Sequence, residues 1–524
     1  MRAEPRRYTF PPLERRGVLL GLQAGQLATL AAGCLLAVGI VRRGSSTAGL
    51  VLAGAVVVAS AGAACWPVAG RPPVEWLPLL GTWVLRRRHG PHLAAEPLAG
   101  RLVAGAPAGR LVAGAPAGRL ASSAHGGPAR GRSFARGIEL VAAPEPPGTE
   151  ALGAIRDRLD GSWGAVIRVD GRSFALLDGA DKERRLAAWG SLLAAVARPG
   201  SPAHRLQWVE RSLPGNSDDL MRYLHDAGVV DPGGAADPGG AAAARRSYEA
   251  LITGAGPATE RHECFLVLSV QPRRALRSAR TFGRGDAAAC ELLRREVRLL
   301  VGQLRSAELP VARPLSLGEL QRSMGAGTDA RFSSGTGSSQ RQDSSSRSGG
   351  RGSLCTPWPL AADEAWSALR ADGGWHATYW VAEWPRLDVG PDFLTPLVAS
   401  GGSRRVSLVM APVDPQRAAR EAGSARTADL ADEELRRRSG FVPSARRERE
   451  AAGVVRRESE LADGHAEYRF SGYVTVSADH RAELDQRCAE IEQAAQQAHL
   501  ELRRLWGRQQ EAYTWTLPLG RGLA

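Results

Sequence analysis

Two uninterrupted apolar runs open the chain. Gly17–Val41 holds 25 residues without a charge and Gly44–Gly70 holds 27 more. About 20 helical residues cross a hydrocarbon core of roughly 30 Å, so each run is long enough to span one. Only Arg42, Arg43 and a few small residues join them, which predicts an antiparallel transmembrane hairpin. The runs are too long and too clearly doubled for a secretory signal peptide. The small residues Gly49, Ala53, Gly54, Ala55, Ala59, Gly62 and Ala63 suit close helix packing in lipid.

Beyond residue 130 the pattern changes to short β-rich runs and helical stripes. Trp163–Val169 and Arg172–Leu177 read as strands joined by the hairpin signal Asp170-Gly171. In Asp181–Ala197 the positions Leu186, Trp189, Leu192, Leu193 and Val196 recur at helical spacing. Arg205–Val209 and His262–Val270 read as strands, and Asp286–Leu309 as a long helix. The following half repeats this grammar, with strands at His376–Trp384 and Arg405–Pro412. Gln416–Arg438 and Ala445–Leu461 carry dense mixed charge, as in an exposed helical hairpin. Tyr468–Val476 alternates as a strand. A helix capped by Asp479 is expected to run to about Trp506, and Tyr513–Leu517 to return as the last strand.

The predicted fold class is therefore a membrane-anchored α+β protein, a transmembrane hairpin followed by two cytoplasmic sandwich-like halves. Its parts are a basic cytoplasmic N-terminus (1–16), the hairpin (17–70) and an interfacial segment (71–90). A repeat-containing linker (91–133) leads to the first half (134–322). A disordered Ser/Gly/Arg linker (323–353) then leads to the second half (354–524), which carries the helical insertion at about 415–461. The linker repeats, AGRLVAGAP in tandem and DPGGAA twice, read as expansions within tolerant loops.

Flanking charge sets the orientation. Arg2, Arg6, Arg7, Arg15 and Arg16 precede the first span, and Arg71 and Arg86–Arg88 follow the second, against two arginines in the turn. The positive-inside rule then places both termini in the cytoplasm, in a two-pass protein of the plasma membrane. Trp66, Trp76 and Trp83 are expected in an aromatic belt, with Glu75–Arg88 lying on anionic phospholipid headgroups.

Composition narrows the chemistry. The 68 basic residues include a single lysine, Lys182, followed by Glu183, so no Walker lysine exists. The net charge of +14 suits an anionic leaflet or nucleic acid. The basic clusters lack the interleaved aromatics of single-strand binders, which weighs against nucleic acid. No two of the six cysteines stand at metal-ligand spacing. His262-Glu263-Cys264 lacks the second histidine of a zincin helix, since Leu266 stands in its place. Gly283–Ala288 matches a dinucleotide fingerprint only loosely, with no strand leading into it. His376 beside Trp375 and Tyr379 is a candidate base with Glu383, though such a histidine is more often packing. Arg446, Arg447, Arg449, Arg456 and Arg457 read as a solvated face. The expectation is a protein without catalytic, cofactor-binding or metal residues, and without a cofactor.

Certain segments are familiar. Pro5–Ala28, Gly171–Asp178, Arg205–Pro214, His376–Leu394, Phe470–Val476 and Leu517–Leu523 resemble an uncharacterised actinobacterial membrane-protein family linked to secretion or conjugation. The strand pair from His376 to Pro412 is similar to the EccE domain of type VII secretion. The hairpin looks like the PrgI-type subunit of type IV conjugation machines, and the ending Leu517–Gly520 resembles the non-catalytic front domain of the conjugation ATPase. The resemblance implies a structural inner-membrane subunit. Its implied partners are other secretion-apparatus subunits, a separate ATPase and further copies of itself; a type IV scaffold is the alternative.

Overall fold

The computed structural model describes Phe10 and residues 24–43, 47–65, 73–87, 92–93, 101–102, 134–143, 152–169, 177–214, 247–248, 250–251, 260–275, 285–307, 311–325, 358–359, 361–438 and 445–523. These residues form a mixed α/β structure built on an antiparallel sheet, together with two apolar N-terminal helices. α1 (Ala24–Arg43) and α2 (Thr47–Cys65) are long and apolar enough to cross a membrane. They pack side by side, and Gln26 donates to the Ala64 carbonyl at 2.8 Å. α3 (Pro73–Arg87) follows, covering nearly the stretch expected at the interface.

The two halves share one sheet. Two-residue strands β1 (His92–Leu93) and β2 (Arg101–Leu102) lie at its edges. The first half supplies β3 (Ile138–Ala142), β4 (Gly153–Asp157), β5 (Ser162–Val169), α4 (Gly179–Val196), β6 (Ala203–Pro214), β7 (Glu260–Val270), α5 (Asp286–Ser306), β8 (Val311–Pro314) and α6 (Leu317–Gly325). The second supplies β9 (Ala361–Glu364), β10 (Leu369–Ala371), β11 (Gly374–Glu383), α7 (Thr395–Val398) and β12 (Arg404–Pro412). It continues with α8 (Pro415–Arg438), α9 (Ala445–Ala462), β13 (Tyr468–Ala478), α10 (Arg481–Gln497), β14 (Glu501–Arg504) and α11 (Gln509–Trp515). The order across the sheet is β1-β9-β10-β11-β13-β12-β6-β7-β5-β4-β3-β2, with β14 on β11 and β8 on β5.

That order is the same read from either edge, so the halves are related by a pseudo-two-fold at the antiparallel β6–β12 pair. Matching hydrogen bonds recur in both. Leu315 N donates to Val166 O at 2.8 Å, and Leu505 N donates to Thr378 O at 3.0 Å. In each half a β-α-β unit straddles a third strand: β7-α5-β8 flanks β5, and β13-α10-β14 flanks β11. The α8–α9 pair is an insertion between β12 and β13, as the charge pattern predicts.

Alternation along the strands divides the apolar residues between two faces. Leu206, Leu266 and Leu268 pack under α4 and α5 with Leu192, Leu293 and Leu300. Val406, Val474 and Val476 pack on the same face under α7 and α10 with Leu397, Leu484 and Ile491. Val209, Phe265 and Val267 point the other way, toward α6 and α11. Only eight Cα–Cα steps separate Leu93 from Arg101, a reach of about 29 Å. Twelve strands laid flat at about 4.8 Å would separate those edges by roughly 50 Å, so the sheet curls around this second face. Phe134, just before β3, accordingly meets both Trp358 and Tyr513.

Several expected elements differ. Tyr513–Leu517 is not a strand: Gln509–Trp515 is a helix whose Tyr513 fills the curled face. The helix after β13 stops at Gln497, because Leu500 N turns back to Ala495 O and His499 adopts φ 55°, freeing Glu501–Arg504 to join β11. Its N-cap is His480 rather than Asp479. The Asp170-Gly171 turn, most of Arg172–Leu177, both repeat tracts except Arg101–Leu102, and nearly all of the Ser/Gly/Arg linker lie outside the described residues.

Candidate functional site

Polar side chains concentrate where the halves meet. Gln207 on β6 is wholly buried, and its amide nitrogen lies 2.9 Å from Ser407 Oγ on β12. The same nitrogen reaches the carbonyls of Trp515 and Leu517 at 3.0 Å each, while Gly520 N donates to Gln207 Oε1 at 2.7 Å. Ser407 also donates to Trp515 O at 2.9 Å. The segment after α11 is thus laid across both central strands.

Further contacts fix that segment. Arg205 donates to Asp160, to Gly520 O and to Leu523 O. Arg521 binds Asp157 at 2.6 Å and Arg136 O at 2.7 Å, and the Tyr473 hydroxyl donates to Gly522 O. Gly520 has φ 71°, and a Cβ there would run into Ser269 Oγ, so glycine suits the turn on two counts. The Leu517–Leu523 motif is a strap joining the halves.

Beside the strap, Arg211 and Arg405 are cross-strand partners, both buried. Arg211 pairs with Glu263. Arg405 donates to the Tyr513 hydroxyl at 2.9 Å and lies over its ring at 4.8 Å. Burial alone would raise the Glu263 carboxyl, but Arg211 holds it below the usual range. Burial lowers Arg211 in turn. A cavity of about 10 Å³ lies among Val209, Arg211, Phe265, Ser323, Arg405 and Pro518.

On the opposite face stands a cluster of which sequence reading singled out only His262. Ser212 and His262 are cross-strand partners, with Ser212 Oγ 3.1 Å from His262 Nδ1. Glu210 Oε1 lies 2.7 Å from that same nitrogen, and also accepts from Ser212 Oγ at 2.7 Å. A hydrolytic relay needs hydroxyl and carboxylate on opposite ring nitrogens. Here Ser212 and Glu210 both crowd Nδ1, and the carboxylate on the Nε2 side, Glu260, stands at 3.7 Å, beyond hydrogen-bond reach. Glu260 in turn holds the buried Arg404 of the second half at 2.8 Å. Through the Glu260–Arg404 pair, the cluster is tied from β7 across β6 to β12. Its signal lay in the i,i+2 pairs Glu210/Ser212 and Glu260/His262, which become legible once the register is known.

The remaining candidates are dispersed. His376 is buried, with Nδ1 2.8 Å from Ser477 Oγ and its ring on Tyr513 at 4.7 Å. Glu383 lies at the far end of β11, paired with Arg386; the two do not meet. His262-Glu263-Cys264 is a strand, as read. Gly283 and Arg284 lie outside the described residues, and α5 starts after Gly285. Arg456 and Arg457 are taken up by Glu460 and Glu467. Burial pushes the Cys264 thiol up to about 12 and the Cys290 thiol to about 11, which suppresses the nucleophilic thiolate. Among the described residues no group of three or more His, Cys, Asp or Glu side chains is arranged to hold a metal ion. Compared with known proteins, the chain matches no family model and no curated protein.

Proposed function

We propose that this protein is a membrane-anchored structural subunit of a secretion apparatus, of the EccE-like kind its segments resemble. In this reading α1 and α2 cross the plasma membrane and both termini are cytoplasmic. The curled sheet docks on neighbouring membrane subunits and on a separate ATPase.

One observation carries the anchoring. Phe10, ahead of α1, stacks on Trp384 at 5.2 Å and meets Phe393 at 5.4 Å. Trp76 and Trp83, after α2, meet Trp366 at 5.9 and 5.3 Å. Both ends of the apolar hairpin rest on the same domain, which an even number of crossings allows and a single crossing forbids. The arginine-rich flanks favour the cytoplasmic side for that domain. The polar seam fits a scaffold because the Arg404–Glu260 and Arg521–Asp157 pairs tie the two halves together.

The test is a mild-detergent pull-down of the tagged protein from native membranes, with co-purifying proteins identified. Recovery of a membrane ATPase with other membrane subunits is expected, and the kind of ATPase separates type VII from type IV machinery. Recovery of the protein alone after good extraction overturns the scaffold reading.

A further inference from the structure

Phe10 reaches the second half of the sheet from outside it, since α1 and α2 lie between the two along the chain. Three rings of that half receive it: Trp384, just past β11, Phe393, in the loop before α7, and Phe470, on β13. These rings also touch one another, Trp384 meeting Phe470 at 5.2 Å and Phe393 at 6.5 Å. Gly472 makes the room: a Cβ there would lie 2.8 Å from the Trp384 indole and 2.9 Å from Val381. The slot thus belongs to the folded half and is built without Phe10, as ligand sites usually are.

Phe10 is held as a ligand is held. It stays half-buried, and among the described residues it makes no hydrogen bond. Ring contacts alone carry it, with Trp384 stacked at 27° and Phe470 edge-on at 62°. Pro11 and Pro12 follow it. A residue before proline is confined to extended backbone, so the segment offers its ring with little freedom left to lose. Aromatic-lined grooves that read proline-rich segments use the same economy of ordering. Nothing in the three contacts depends on the ring belonging to this chain. Precedence comes from the tether, which keeps Phe10 near the slot at an effective concentration in the millimolar range. A subunit fixed beside this one in an assembly has the same advantage.

We propose that the Trp384–Phe393–Phe470 slot is a recognition site for an aromatic side chain followed by proline, presented by a neighbouring polypeptide, and that Phe10-Pro11-Pro12 is the built-in competitor occupying it until that partner arrives. This rests on the scaffold reading for its neighbour and gives the neighbour's segment a chemistry. Binding of a peptide needs no secretion machine, so the slot can fail its test while the pull-down succeeds, and the reverse.

The probe is a fluorescent peptide copying residues 5–16, titrated into detergent-solubilised full-length protein. Phe10→Ala protein should bind it saturably, with a Kd below about 1 mM, while wild-type protein should bind it roughly tenfold more weakly because its own arm competes. A peptide with alanine in place of Phe10 should not bind. One with alanine in place of Pro11 and Pro12 should bind severalfold more weakly. Within the Phe10→Ala protein, Trp384→Ala should abolish binding and the milder Phe393→Leu should weaken it severalfold, with urea midpoints showing that each still folds. Absence of saturable binding to Phe10→Ala, or equal binding to Phe10→Ala and wild type, overturns the site. Equal binding of the peptide lacking both prolines overturns the stated ligand class.

Discussion

Gln207 and Ser407 are 200 residues apart in the chain, yet they face one another across the boundary between the halves at 2.9 Å. Through them the Trp515 and Leu517 carbonyls are held against both central strands. Removing a buried donor leaves its acceptors dry, at about 1–3 kcal/mol each. Gln207→Ala should therefore destabilise the domain by on the order of 3 kcal/mol, read as a fall in the urea midpoint. A midpoint unchanged within error would mean that the strap is held elsewhere.

Gly520→Ala tests the strap's turn. A left-handed backbone costs a non-glycine residue roughly 1–2 kcal/mol, and here the new methyl also meets Ser269 Oγ. Adding Ser269→Ala should recover the steric part and leave the backbone part. Full recovery in the double variant would show that φ contributes nothing.

The rivets between strands titrate in acid. At Asp160 burial opposes ionisation, but the nearby His204 ring, hydrogen bonds from Ser162 and the charge of Arg205 hold the carboxyl below its ordinary 3.8. Glu260 and Glu263 are likewise held below 4.5, by Arg404 and Arg211 against burial. Folded values below unfolded ones mean stability that is complete above the unfolded pKa and lost as pH falls through the folded one. Urea midpoints should hold near pH 6 and drop from about pH 5 downward. Asp160→Asn should flatten part of that slope; an identical slope would remove Asp160 from the account.

Thiol chemistry offers a check on packing. With Cys264 and Cys290 pushed up to about 12 and 11, iodoacetamide at pH 8 should alkylate them slowly in the native protein and quickly in urea. Mass spectrometry of the labelled peptides reads the difference. Rapid native labelling of Cys290 would contradict its burial on the sheet-facing side of α5.

Phe10→Ala removes three aromatic contacts, each worth about 0.5–1.5 kcal/mol. Trypsin should then cut sooner at Arg15 and Arg16 while the domain's own urea midpoint stays close to normal. Unchanged cleavage would mean that Phe10 does not hold the arm.

Much of this architecture was legible where the pattern is periodic. The stripe Leu292, Leu293, Val297, Leu300 became the buried face of α5, and the alternation of Tyr468–Val476 became β13. The short strands β3, β4, β8, β9 and β10 escaped notice because three to five residues carry too little periodicity to separate from loop. Tyr513–Leu517 misled for a physical reason: aromatic and β-branched residues also suit a short helix buried against a sheet. The duplication was audible as a repeated grammar. Its closest echo lies in β7 and β13, where Arg261, Phe265, Leu266, Leu268 and Ser269 correspond to Arg469, Tyr473, Val474, Val476 and Ser477. The seam cluster was not legible, since it depends on cross-strand register.

The pairing of β6 with β12 has a consequence for synthesis. Once β7 has been made, β6 has one neighbour and an open edge, and the strand that closes it ends 142 residues later, at Pro412 after Val270. At 5–20 residues per second the ribosome takes roughly 7–30 s to supply it. Through that interval the nascent first half offers an unpaired edge to any strand nearby, including the same edge of another nascent copy. A pair of first halves joined edge to edge would reproduce the sheet's own symmetry, which makes mispairing between chains the specific hazard of this fold.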